Sequence, residues 1–186
     1  MKPYVFEIPG VITVTLDEQA MMKIHDYYEV QNTADEIKDA YPKLNNLYCE
    51  ALAKKVRSLM WNEEMSEEEA IEEVTDKYPS EDLSYFASYS VKLAESILAN
   101  RLPECLSDME DISEILMAIS DNVALYAELQ FPKVVKEVLM EILELTASLL
   151  PVTVAGPEDV KRLQEKLYLL KQKALQLITL LPVEEN

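Results

Sequence analysis

The chain has 186 residues and sets 35 acidic side chains against 17 basic ones, a formal net charge of −18. That length fits one domain with a core that needs no metal or disulfide. Two glycines, Gly10 and Gly156, are too few for phosphate-cradling loops or dinucleotide fingerprints, and they disfavour an all-β fold. The charge opposes nucleic acid and anionic membranes as direct ligands.

Met1-Lys2-Pro3-Tyr4 lacks the basic and apolar segments of a signal peptide, and Leu145 to Ala155 is too short and too polar to span a bilayer, so the expected location is the cytoplasm. Cys49 and Cys105 fall in different predicted helices without metal-ligand spacing and are read as thiols of a reducing compartment. No cofactor is expected.

In chain order, Tyr4–Ile8 and Val11–Leu16 are rich in β-formers, and Pro9-Gly10 suits the centre of a type II turn. Residues 1–16 are therefore predicted as a hairpin or extended arm packed on a single helical domain over 17–186. An isolated two-stranded hairpin is marginal in water.

Thr15-Leu-Asp-Glu18 and Ser66-Glu-Glu-Glu69 both fit the capping box. Pro42, Pro103, Pro132 and Pro157 can each occupy a first helical turn, and Pro79, Pro151 and Pro182 fall at expected stops. These marks predict helices near 17–30, 33–41, 43–61, 66–78, 80–100, 104–130, 133–150 and 157–181, an all-α bundle of seven to eight helices.

Met109, Ile112, Leu116, Ile119, Val123 and Tyr126 recur in steps of three and four. So do Val135, Val138, Ile142, Leu145 and Leu149, and Val160, Leu163, Leu167, Leu170, Ala174, Leu177 and Leu181. Such stripes are bundle seams. The last helix also carries Tyr168, Leu169, Leu175, Ile178 and Leu180 off its stripe, which places it at the bundle centre or, alternatively, makes 160–181 a homo-oligomer interface.

The charge is uneven. Residues 61–130 hold eighteen acids and three bases, hence 15 of the 18 net negative charges. Residues 63–76 alone contain eight carboxylates and no lysine or arginine. As one continuous helix they would span about 21 Å, roughly one charge per 2.6 Å, between duplex DNA at about 1.7 Å and a single strand at about 3.4 Å. Glu110, Asp111 and Glu114 add a second acidic stretch. Ile71, Val74 and Tyr78 form an apolar stripe beside the first, so the other faces are either solvated or an interface. Like charges at i,i+4 destabilise a helix, and a cationic partner would relieve that repulsion.

Candidate catalytic groups are sparse. His25 is the only histidine, and neither H-E-x-x-H nor E-x-x-H occurs. Glu137, Glu141 and Glu144 share a helical face with Lys133 and Lys136 nearby, as in a salt-bridged solvated surface. Glu68-Glu69-Ala70-Ile71-Glu72 resembles the E-E-x-x-E half of the all-α nucleoside triphosphate pyrophosphatases, which implies magnesium held over a triphosphate by Glu68, Glu69 and Glu72. That family's E-x-x-D half has no counterpart, since Glu95 is followed by Leu98 at that spacing.

The preferred expectation is a non-enzymatic acidic module that docks on a basic protein surface through Glu64, Glu67, Glu68, Glu69, Glu72, Glu73 and Asp76, with Glu110, Asp111 and Glu114 next. Its sharp form is a nucleic-acid mimic that inhibits a nuclease, restriction enzyme or CRISPR effector, as acidic proteins of phages and mobile elements do. The alternatives are the pyrophosphatase and an oligomeric helical adaptor.

Overall fold

The computed structural model describes residues 4–10, 12–78, 83–99, 109–150 and 156–181. The predictions concerning Pro79, Pro103, Cys105, Pro151 and Pro182 lie outside them. Strands β1 (Tyr4–Ile8) and β2 (Ile12–Leu16) form an antiparallel hairpin with Phe6 opposite Val14. Gly10 has φ +74°, the left-handed value that the third position of a type II turn requires.

Seven helices follow among the described residues: α1 (Glu18–Ala40), α2 (Asn46–Glu63), α3 (Glu67–Lys77), α4 (Leu83–Ala99), α5 (Met109–Glu128), α6 (Lys133–Leu149) and α7 (Pro157–Leu180). Their number and the short hairpin make this the all-α bundle that the periodicity predicts.

Three local expectations are corrected. The helices expected at 17–30 and 33–41 are one helix, unbroken across Gln31 and Asn32, whose buried residues Thr33, Ala34 and Ile37 all lie in its second half. Thr15 belongs to β2 and caps nothing; Asp17 is the N-cap, its carboxylate accepting the Ala20 amide at 2.8 Å. Pro42 precedes the Asn45 cap of α2, and Pro132 is itself the N-cap of α6, so neither enters a first helical turn; Pro157 does. The acidic run 63–76 is divided between two helices, as the expected helices 43–61 and 66–78 imply. Glu64 takes the left-handed conformation (φ 53°) and ends α2, and Ser66 starts α3.

The packing follows the stripes. α7 lies between α4 and α6, α5 packs on α6, and α2 packs on both α1 and α3. Leu163, Leu167, Leu170, Ala174 and Leu177 are buried, which makes α7 central, while Tyr168, Leu169 and Leu175 stay exposed on its outer side. One continuous core joins the two sets of helices. Its aromatic centre is Tyr48 of α2, edge-on to Tyr126 of α5 with ring centroids 5.5 Å apart and stacked on Phe131 at 6.4 Å. Cys49 is buried beside them in sequence. No helix among the described residues is long and apolar enough to cross a membrane.

Candidate protein-docking surface

The acidic helix α3 is built from its cap outward. Ser66 Oγ accepts the Glu69 amide at 3.3 Å, and Glu69 Oε2 accepts the Ser66 amide at 3.1 Å, the reciprocal pair of a capping box. The Ser66 hydroxyl also donates to Glu69 Oε2 at 2.8 Å. The hydroxyl first and the amide second hold the Glu69 carboxyl below its ordinary range.

Ala70, Val74 and Tyr78 are buried, so α3 rests on this stripe, with Ile71 packed partly against the core. The stripe expected from Ile71, Val74 and Tyr78 is thus centred one residue earlier at its start.

Position on the helix divides the predicted residues. Glu67 is drawn inward: Thr33 Oγ1 of α1, itself buried, donates to Glu67 Oε1 at 2.6 Å. Glu69 serves the cap. Glu68, Glu72, Glu73 and Asp76 are exposed, and their carboxylates make neither hydrogen bond nor ion pair to any described residue. Glu64 is exposed at the end of α2, in the turn that reverses the chain into α3. Glu110, Asp111 and Glu114 lie in the first half of α5, and their side chains are outside the described part.

The single base of α3 does not offset the four open carboxylates. Lys77 Nζ turns to Glu128 Oε2 of α5 at 2.9 Å, and the Tyr78 hydroxyl donates to the same oxygen at 3.1 Å. These contacts lower the Glu128 carboxyl, Lys77 first and Tyr78 second, while the bond to Glu128 raises Lys77. Burial, then the bond to Glu128, raises the Tyr78 phenol.

Trp61 escapes the charge-based reading. It is the only tryptophan, and it stands 80% exposed near the end of α2, two residues before the acidic run begins. Its phase could have revealed it. Tyr48, Leu52, Val56 and Leu59 mark the buried side of α2, and Trp61 falls about 200° beyond Leu59.

The other candidate groups are placed plainly. The His25 side chain is 73% exposed, 3.9 Å from Glu29. Glu137 pairs with Lys133 at 3.6 Å, Glu141 pairs with Lys173 of α7, and Glu144 is exposed. Glu68, Glu69 and Glu72 project from α3, and among the described residues no three His, Cys, Asp or Glu side chains group as metal ligands. Comparison with family models, curated proteins and solved structures returns no match.

Proposed function

We propose that the protein is a non-enzymatic binding module that docks on a basic surface of another protein through the outer side of α3. The observation that carries this reading is the row Glu68, Glu72, Glu73 and Asp76: four exposed carboxylates within three helical turns, paired with no cation among the described residues. They span about 12 Å along the helix, a mean rise of about 4 Å per charge, comparable to the roughly 3.4 Å between phosphates of one nucleic-acid strand. The mimic reading therefore fits a groove that follows a single strand better than one that grips a duplex.

Trp61 supports docking of this kind, because tryptophan dominates binding hot spots when a partner desolvates it. Charge would steer the encounter and set its salt dependence, and the indole would slow dissociation.

The test is a titration of the captured partner with wild type and with the Glu68→Gln, Glu72→Gln, Glu73→Gln, Asp76→Asn quadruple variant. The proposal expects at least a tenfold loss of affinity at about 0.1 M salt and a flatter salt dependence in the variant. Equal affinities and equal slopes would refute it.

A further inference from the structure

Among the described residues, the N-terminal arm has the fewest contacts with the rest of the fold, the hairpin meeting the start of α1 through β2. Every residue from Met21 to Tyr28 is exposed, so more than two turns of α1 are left uncovered by the described residues. Taken at about 100° per residue, Met21, Ile24 and Tyr28 lie about 130–170° from the side formed by Val30, Thr33, Ala34 and Ile37, which faces the bundle. These three cannot reach the bundle by any tilt of α1. Ahead of them stands a two-stranded hairpin, too small to be stable by itself.

The two strands differ at their outer edges. β1 carries Glu7 and is flanked by Pro3 and Pro9, residues that discourage further pairing. β2, Ile12-Thr13-Val14-Thr15-Leu16, has no charge, proline or glycine. Its outer edge is unpaired among the described residues, and a bare edge of this composition is a template for another strand.

We infer that a second copy of this chain covers the arm, with β2 pairing antiparallel to β2 of the copy about a two-fold axis through Val14. The strand is self-complementary in that register. Val14 meets Val14, Ile12 meets Leu16, and Thr13 meets Thr15, a favourable cross-strand pair that occurs twice. Two hairpins become a four-stranded sheet, which passes the size that a free-standing sheet needs. Hairpin register and strand alternation put positions 4, 6, 8, 12, 14 and 16 on one face, all apolar in sequence, and 5, 7, 13 and 15 on the other. Charge permits the meeting, since residues 1–30 carry five acids and two bases, only 3 of the 18 net charges. The outer side of α7 competes as a contact surface, with a groove of about 680 Å³ beside Leu98, Tyr168 and Leu169. It offers no comparable symmetric register.

The experiment is sedimentation equilibrium of the full chain in about 0.15 M salt, up to about 100 μM, with charge variants at Thr13 and Thr15. Both residues are exposed on the polar face of the hairpin, so the bundle tolerates their replacement. Wild type is expected at twice 21.3 kDa. Thr13→Lys with Thr15→Lys sets lysine against lysine twice and raises the dimer dissociation constant at least tenfold. Thr13→Lys with Thr15→Glu sets lysine against glutamate twice and retains the dimer. A monomer at every concentration overturns the proposal, as does a dimer indifferent to both pairs or one abolished by Leu169→Glu instead.

Discussion

Thr33 and Glu67 show how one hydrogen bond separates an anchored acid from the open ones of α3. The Thr33 hydroxyl is buried and donates to Glu67 at 2.6 Å. Glu67→Ala leaves that hydroxyl unsatisfied and costs about 1–3 kcal/mol. Glu68→Ala, on the open side, changes stability by less than about 0.5 kcal/mol. Urea denaturation of the two variants checks the contrast, and equal losses would show that Glu67 is not anchored. Glu64 offers the opposite case. A glutamate at φ 53° is held where glycine is at ease, so Glu64→Gly is expected to raise stability by about 0.5–1 kcal/mol in the same assay. Neither residue is marked in the sequence: a run of glutamates has no letter that shows which one turns inward or which one reverses the chain.

At the scale of elements, α3 sets stability against charge density. Glu68 and Glu72, Glu69 and Glu73, and Glu72 and Asp76 are like-charge pairs at i,i+4, each destabilising by about 0.2–0.5 kcal/mol. Neutralising Glu68, Glu72, Glu73 and Asp76 together is therefore expected to raise the Tm of the free protein even as it weakens the proposed docking. A Tm that falls would mean that these carboxylates have partners within the fold. The longer helices were legible because their three-and-four spacing survives in α5, α6 and α7, and the Ser66 capping box was legible because it is closed by residues three apart. The ends of α1 were not. Thr15 and Asp17 both satisfy N-cap chemistry, and only the pairing of Thr15 with Val5 in the hairpin decides between them. The exposed acids of the candidate surface were readable from composition, whereas Trp61 needed the phase of α2 and the inward turn of Glu67 needed the contact with α1.

For the whole molecule, the net charge of −18 makes stability depend on salt and pH. Screening relieves self-repulsion, so added salt is expected to stabilise the free protein while it weakens the proposed complex. The pH dependence has a definite sign. Glu69 and Glu128 are lowered in the folded state, so their contributions are complete above the ordinary carboxylate value of 4.5 and are lost as pH falls through their depressed values. Lys77 and Tyr78 are raised, so their contributions persist below their ordinary values of 10.5 and 10.0 and are lost as pH rises through the folded ones. Ser66→Ala combined with Glu128→Gln should flatten the acid limb of a stability profile measured by denaturant titration. An unchanged limb would assign acid sensitivity to other carboxylates.

The central claim, that the open acids of α3 engage a basic protein, is tested most directly by quantitative capture from a nuclease-treated lysate. Wild type and the Glu68→Gln, Glu72→Gln, Glu73→Gln, Asp76→Asn variant are compared side by side at about 0.1 and 0.5 M salt. The expected result is a basic protein that wild type retains at low salt, that high salt releases, and that the variant fails to hold although it remains folded. Equal retention by the two chains, or no basic protein held by wild type at low salt, would contradict it.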